Sequence, residues 1–297
     1  MNKAIIDLGT NTFNLLIAKV DHNQLSIIHS EKSGASIGMG GINNNILTEK
    51  AISRAVNSLT HFKKVCNEYN VNEIKAFGTS AIRDAKNNKE FCSIVKNKIG
   101  LDIIIIDGQK EAELIFDGVS KTISNDEFII MDIGGGSTEF IFVKDNSIKE
   151  AKSFNIGISR IYQYFSKLSD PLTTSDVIKI EDWLERNTNS YFTSKYAHTL
   201  VGASGTFETF YELINNVSFP TNTSKSIQLD INQINKILEN LIFSSKEERF
   251  QNEYLIPIRK LMAPIAAVKT RWVLKQMKIK KIYVSPYSLK EGALFSL

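Results

Sequence analysis

The feature that most constrains this chain occurs twice. Ile6-Asp7-Leu8-Gly9 returns as Met131-Asp132-Ile133-Gly134, an offset of 125 residues from Asp7 to Asp132. The same offset aligns Thr12 with Ser137, Leu16 with Ile141 and Lys19 with Lys144. A second echo sets Ala76-Phe77-Gly78-Thr79-Ser80 against Leu200-Val201-Gly202-Ala203-Ser204, offset by 124 from Gly78 to Gly202. A period this long marks a duplicated domain, not a solenoid unit. In each copy short apolar runs flank a polar turn, Gly9-Thr10-Asn11-Thr12 in the first and Gly134-Gly135-Gly136-Ser137 in the second, and read as strand, tight turn, strand. The expectation is an α/β fold of two similar halves facing each other across a cleft, each with one polar hairpin turn. The 297 residues suit two domains at about 150 residues each. The boundary is expected near Asn125, giving residues 1–124 and 125–286, with a last helix near 287–297 packing back on the first domain.

Periodicity fills in the remaining elements. Ile52, Ala55, Val56, Leu59, Phe62, Val65, Cys66 and Tyr69 recur at helical steps, predicting a helix over 49–69 with Thr48 as its N-cap. Strands are predicted at 25–30, 74–77, 101–106 (buried), 128–133, 140–143, 199–201 and 282–285. Helices are predicted at 91–99, 111–119, 159–165, 175–192, 206–214, 232–243, 262–277 and 289–297.

Composition excludes several classes. With 42% hydrophobic and 23% charged residues the chain is globular, not disordered. Its longest apolar stretches, such as Ile103 to Ile106, fall far short of the ~20 residues of a membrane span. The N-terminal apolar run stops at Asp7, so no signal peptide is read there. Cys66 and Cys92 lack metal-ligand spacing, and so do His22, His29, His61 and His198. A reduced, cytoplasmic protein without a zinc site is expected. A net charge of +4 does not establish a nucleic-acid binder. It suits an anionic substrate, and AT-rich codon usage explains it as well. Lys63-Lys64 and Lys278 to Lys281 read as solvated faces or as a track for a polyanion.

The two hairpins carry the chemistry. Glycine allows close backbone approach to an anion, and Thr or Ser hydroxyls add donors. Gly9, Thr10, Asn11 and Thr12 in the first turn, and Gly134, Gly135, Gly136, Ser137 and Thr138 in the second, are therefore candidate phosphate binders. Asp7 and Asp132, ending the preceding strands, can hold a hard divalent cation directly or through water. Gly202, Ser204, Gly205 and Thr206, between a strand and a helix, read as an anion or sugar site at a helix N-terminus or as simple capping by Thr206.

The segments IDLGTNTFNLLIA, GTSAIRDAKN, DGQKEAELIFDGV, MDIGGGSTEFIF, NIGISRIYQYF, VGASGTFET and SPYSLKEGAL resemble, in order, the motifs of the exopolyphosphatase/guanosine pentaphosphate phosphohydrolase (Ppx/GppA) family. That family has the actin-like (ribonuclease H-like) superfold, and the resemblance spans residues 4 to about 294. It implies that Arg83 contacts phosphate, as suits a planar guanidinium. It implies that Glu111 is the catalytic base, although a glutamate in the first turn of a helix is also favoured by the dipole. Glu139 is implied near the metal and the attacking water, its other reading being an exposed strand carboxylate. Asn87 matches the motif's asparagine but also fits a capping pattern with Glu90. Lys110 departs from the acidic residue that many relatives carry there, which puts the local field beside Glu111 in question. Arg160 is a secondary binding or structural candidate.

What the resemblance implies is a Mg²⁺-dependent hydrolase that removes terminal orthophosphate from inorganic polyphosphate, or from guanosine pentaphosphate. Longer relatives carry further C-terminal helical domains, so short to medium chains are the expected optimum. A homodimer is the assembly the family suggests. No specific nucleic acid and no membrane are expected as partners. A kinase of the same superfold, and a nucleotide-switched binding protein, are the other classes; the Arg83 and Glu111 segments argue against both.

Overall fold

The computed structural model describes every residue except His22, Asn23, Ser194 and Leu297; the predicted last helix thus ends outside the described residues, as does His22. The chain divides into two units. The first comprises Met1–Gly118, Gly134–Gly136 and Tyr287–Leu297, and the second Val119–Ile133 and Ser137–Pro286.

In the first unit, β1 (Lys3–Leu8) pairs antiparallel with β2 (Phe13–Asp21), which pairs antiparallel with β3 (Gln24–Ser33). On its other side β1 runs parallel to β4 (Glu73–Gly78), and β4 to β5 (Ile103–Ile105). One face of β1 and β2 sends Ile6, Leu8, Leu15 and Ile17 into a core shared with α1 (Glu49–Glu68) and α3 (Asn88–Ile99). Thr48 caps α1 by accepting from the Ala51 N–H. Between β4 and α3 lies the single turn α2 (Ser80–Arg83), and α4 (Gly108–Val119) follows β5. The final helix α11 (Leu289–Phe295) packs on β1 and β2. It also meets α4 so closely that a Cβ on Gly292 would stand 1.8 Å from the Leu114 carbonyl oxygen.

The second unit repeats the arrangement with additions. β6 (Glu127–Ile133), β7 (Thr138–Lys144) and β8 (Ser147–Phe154) form an antiparallel meander. β9 (Thr199–Gly202) and β11 (Lys281–Val284) extend the sheet in parallel from β6, and β10 (Ile227–Leu229) closes it antiparallel to β11. Its helices are α5 (Ile158–Tyr164), α6 (Thr174–Thr188), α7 (Gly205–Asn215), α8 (Ile231–Ile242), α9 (Lys246–Gln251) and α10 (Pro257–Met277). α10 packs against α5, α6, α8 and α9. Phe192 joins the layers, its ring 4.7 Å from Phe140 of β7 and 5.3 Å from Trp272 of α10.

The duplication is in register at the hairpins. Asp7 stands opposite Asn14 in the first and Asp132 opposite Glu139 in the second, both members displaced by 125. The second echo slides: Gly78 pairs with Leu8, whereas Gly202 pairs with Met131, the counterpart of Ile6.

Several elements depart from the sequence expectation. The strand predicted over 101–106 shrinks to three residues at a sheet edge, leaving Ile104 and Ile105 43% and 38% exposed. The helix predicted to 192 stops at Thr188 because Asn189 takes the left-handed conformation at φ 49°, a common helix terminator. α10 begins at Pro257, where proline's missing N–H costs nothing.

Candidate active site

The first hairpin turn is held by the loop that follows β3. The Thr10 and Asn11 carbonyls accept from the Gly38 and Ser36 N–H groups at 3.1 and 2.9 Å. Thr10 is buried, whereas Gly9, Asn11 and Thr12 are half-buried. At the strand end, Asp7 accepts from Asn14 Nδ2 at 3.0 Å.

Gly134–Gly136 belongs with this unit and lies on the same residues. A Cβ on Gly135 would fall 2.8 Å from the Asn11 side chain, and one on Gly136 would fall 2.4 Å from Ser80 Oγ and 2.7 Å from Thr10 Oγ1. Neither glycine has a positive φ, so space, not left-handed backbone, dictates glycine here. Ser80 itself is 2% exposed, and its hydroxyl has no hydrogen-bond partner. An orphaned buried hydroxyl is uncommon in folded proteins and asks for an explanation. Here it adjoins Thr10 and Gly136, a position an incoming oxygen-rich ligand can satisfy.

Arg83 and Glu111, from segments 28 residues apart, meet in the first unit. Arg83 Nη1 donates to Glu111 Oε2 at 2.8 Å and to the Ile106 carbonyl at 3.3 Å, while Nε lies 3.4 Å from Asp84 Oδ1. Glu111 is 7% exposed. It rides in the first turn of α4, where Asp107 Oδ1 accepts from the Lys110 N–H at 2.8 Å. The Lys110 ammonium turns to Glu113 at 3.2 Å. Asn87 does not cap: its side chain clamps Leu47, accepting from the N–H at 3.0 Å and donating to the carbonyl at 2.9 Å.

In the second unit Asp132 and Glu139 are cross-strand neighbours. Glu139 is 1% exposed and accepts from Ser153 Oγ at 2.7 Å, so it is no exposed strand carboxylate. Thr138 corrects the expectation of a hydroxyl for phosphate. Its side chain is fully buried, donates to the Ser137 carbonyl and accepts from Lys269 Nζ. That hydroxyl is spoken for, and Thr138 offers a ligand only backbone. Ser137 is buried beside it and Arg160 is buried in α5.

Gly202, Ser204, Gly205 and Thr206 form the turn into α7. Ser204 is the residue before the helix and accepts from the Ile133 N–H through Oγ at 3.3 Å, which ties the turn to the end of β6. Thr206 lies inside the helix and caps nothing. Gly202 is needed because a Cβ would meet the Phe207 ring at 2.0 Å. Beside Gly205 stands Arg259, which sequence reasoning missed. Its Nη1 donates to Thr209 Oγ1 at 2.5 Å, and its Nη2 would be 1.9 Å from a Cβ on Gly205. Burial lowers the Arg259 pKa, opposed by Glu208 and Glu212.

Lys269 was also missed. It is fully buried in α10, donating to Thr138 Oγ1 and, at 2.7 Å, to the Ile156 carbonyl. Burial pushes its ammonium down to about 7, with Glu139 and Asp132 acting the other way. The signal was the polar trio Lys269-Thr270-Arg271 between the apolar runs Ile265-Ala266-Ala267-Val268 and Trp272-Val273-Leu274, with Lys269 on the side of the helix that Ile265, Ala266, Trp272 and Val273 occupy.

Comparison with known proteins gives these features a context. The profile of the Ppx/GppA phosphatase family matches residues 16–297. A crystal structure of an exopolyphosphatase from Cytophaga hutchinsonii superposes with a TM-score of 0.94 at 32% identity, covering 100% of this chain and 97% of that one. The bifunctional 3-dehydroquinate synthase/phosphatase of Fusobacterium nucleatum is 34% identical over 221 residues, 70% of this chain and 33% of its own length. The guanosine-5'-triphosphate,3'-diphosphate pyrophosphatase of Aeromonas salmonicida is 25% identical over 99% of this chain and 59% of its own length. This chain therefore spans a third to three fifths of those two relatives, and nearly all of the Cytophaga structure.

Proposed function

Because the chain belongs to the Ppx/GppA phosphatase family, we propose that it is a Mg²⁺-dependent phosphoanhydride hydrolase releasing terminal orthophosphate from inorganic polyphosphate. The observation that carries this reading is the Arg83–Glu111 pair at 2.8 Å. Two segments that are separate in sequence join a phosphate-binding cation to a buried carboxylate, and both are needed for the reaction.

Glu111 orients a water and takes its proton as the oxygen attacks the terminal phosphorus in line. The bond from phosphorus to the bridging oxygen breaks, orthophosphate departs and the chain is one phosphate shorter. Arg83 holds the Glu111 carboxylate in place, and its planar fork supplies N–H donors for the phosphoryl oxygens. Thr10, Asn11, Thr12 and Ser137, with the backbone of Gly9, Gly134, Gly135, Gly136 and Thr138, bind the remaining oxygens. The unpartnered Ser80 hydroxyl supports an oxygen-rich ligand beside Thr10 and Gly136. Gly202, Ser204, Gly205 and Thr206, with Arg259 alongside, serve phosphates further along the chain.

Asp132 and Glu139, neighbours across β6 and β7, would hold Mg²⁺, and Asp7 is the equivalent carboxylate of the first hairpin. Among the described residues no group of three or more Asp, Glu, His or Cys gathers as a metal shell. That fits magnesium, which uses one or two carboxylates and fills its octahedron with water and substrate phosphate. When bound it would neutralise charge on the reacting phosphates.

Guanosine pentaphosphate is the second reading, favoured by the Aeromonas relative, which aligns with 99% of this chain. Phosphate release from tripolyphosphate, medium and long polyphosphate and guanosine pentaphosphate, each with Mg²⁺, separates the two. Short and medium chains are expected to lead. Turnover of the guanosine substrate alone would replace the polymer reading. No helix among the described residues is long and apolar enough to cross a membrane. The two unbridged cysteines support a reducing, cytoplasmic setting.

A further inference from the structure

Lys269 has no place in the reaction described above, yet its position is costly. An ammonium wholly removed from water is strongly disfavoured, and a well-packed apolar residue of similar volume is often neutral or better for stability. The neighbours of Lys269 on α10, Ile265, Ala266, Val268, Thr270, Trp272 and Val273, are all buried, and the one polar group among them, Thr270, is satisfied by the Ala266 carbonyl at 2.8 Å. What the cation does touch is specific. One bond goes to the Thr138 hydroxyl, at the first residue of β7 where the Gly134–Ser137 turn ends. The other, at 2.7 Å, goes to the Ile156 carbonyl, immediately before Gly157 and the α5 turn that carries Arg160. Thr138 in turn donates to the Ser137 carbonyl at 3.0 Å, so the chain of bonds runs from α10 into the turn itself. Among the described residues no carboxylate is bonded to the ammonium; Asp132 and Glu139 act on it through space.

We propose that Lys269 is a positioning residue for phosphoryl chemistry, pinning the foot of the Gly134–Ser137 turn and the entry to α5 to one rigid point on α10. The inference rests on the phosphohydrolase reading. Lysine does here what methionine or leucine cannot: from one point on α10 it hydrogen-bonds the Thr138 hydroxyl at the start of β7 and the Ile156 carbonyl ahead of α5.

The test compares wild type with Lys269→Met and Thr138→Val, reading steady-state phosphate release from tripolyphosphate with Mg²⁺ and, separately, amide hydrogen exchange without substrate or metal. Lys269→Met is expected to fold and to lose at least tenfold in kcat with KM changed less than threefold. Exchange should rise at Ser137, Thr138, Ile158 and Ser159. Thr138→Val should show the same pattern, and the double variant should lose no more than the worse single one, because the two residues act as a unit. A folded Lys269→Met with wild-type kcat and wild-type exchange overturns the proposal. So does a variant whose only defect is a lower melting temperature with full activity per folded molecule. If Lys269→Met does not fold, Thr138→Val decides by the same two readings. If wild type itself releases no phosphate, the hydrolase reading falls, and the exchange comparison alone still decides whether Lys269 pins the turn.

Discussion

The cost of burying Lys269 has a measurable pH signature. Its ammonium is pushed from an ordinary 10.5 down to about 7 in the folded chain. Below pH 7 the lysine is protonated whether the chain is folded or not, and wild type bears the whole burial cost. Between pH 7 and 10.5 the unfolded chain keeps the proton and the folded chain does not, so wild-type stability climbs with pH. The slope approaches about 1.4 kcal/mol per pH unit once the folded lysine has lost its proton, and from the half-protonated state at pH 7 it accumulates to about 2.3 kcal/mol by pH 9. Methionine at 269 has no such term, and its packing differences do not depend on pH. Lys269→Met should therefore be the more stable protein at pH 6, and its advantage over wild type should shrink by about 2 to 3 kcal/mol by pH 9. Urea denaturation without divalent cation, followed by tryptophan fluorescence, reads this unit specifically, because Trp183 and Trp272 both lie in the second unit. A gap between variant and wild type that stays constant within about 0.5 kcal/mol from pH 6 to 9 would refute the buried-charge reasoning.

Other expectations can be read from single substitutions. Arg83→Lys keeps the charge but loses the planar fork, and should lower kcat/KM for tripolyphosphate by about tenfold or more while thermal stability changes little. Gly136→Ala drives a methyl against Ser80 Oγ and Thr10 Oγ1, at 2.4 and 2.7 Å. It should weaken phosphate binding, seen as a raised KM, more than it lowers the melting temperature. Gly292→Ala meets backbone at 1.8 Å and should destabilise the first unit by about 1 to 3 kcal/mol in denaturant titration. Asn87→Ala removes both clamps on Leu47, a loss of about 1 to 3 kcal/mol of stability with kcat unchanged.

Much of this was legible because the duplicated hairpins are local. Strand, turn and strand lie within 20 residues, and the 125-residue echo carried their register from Asp7/Asn14 to Asp132/Glu139. What the sequence hid was decided by tertiary context. β8 is rich in Lys and Glu because it is an edge strand, so its pattern is not one of apolar alternation. The run Ile103–Ile106 reads as a buried strand from its four isoleucines, but β5 keeps only the first three, the sheet ends there, and Ile104 and Ile105 are left open. Asn87 looked like a cap because Glu90 follows at capping distance; the loop at Leu47, 40 residues away, claimed its amide. Thr138 was read as a ligand donor because its hydroxyl sits in a Gly-Ser-Thr cluster. Strand alternation instead turns it inward to a lysine 131 residues away. Arg259 and Lys269 escaped for the same reason: each lies on α10, far in sequence from its partners, Thr209 in α7 for Arg259 and Thr138 and Ile156 for Lys269, and only packing brings them together.

The most direct measurement is phosphate release from tripolyphosphate with Mg²⁺ by wild type and by Glu111→Gln, with folding of both checked by circular dichroism. Glutamine keeps the size and the bond to Arg83 but cannot take a proton. A wild type that turns over, beside a folded variant slower by about 10²- to 10⁴-fold in kcat, is the result this account predicts. A folded Glu111→Gln that releases phosphate at the wild-type rate would contradict it.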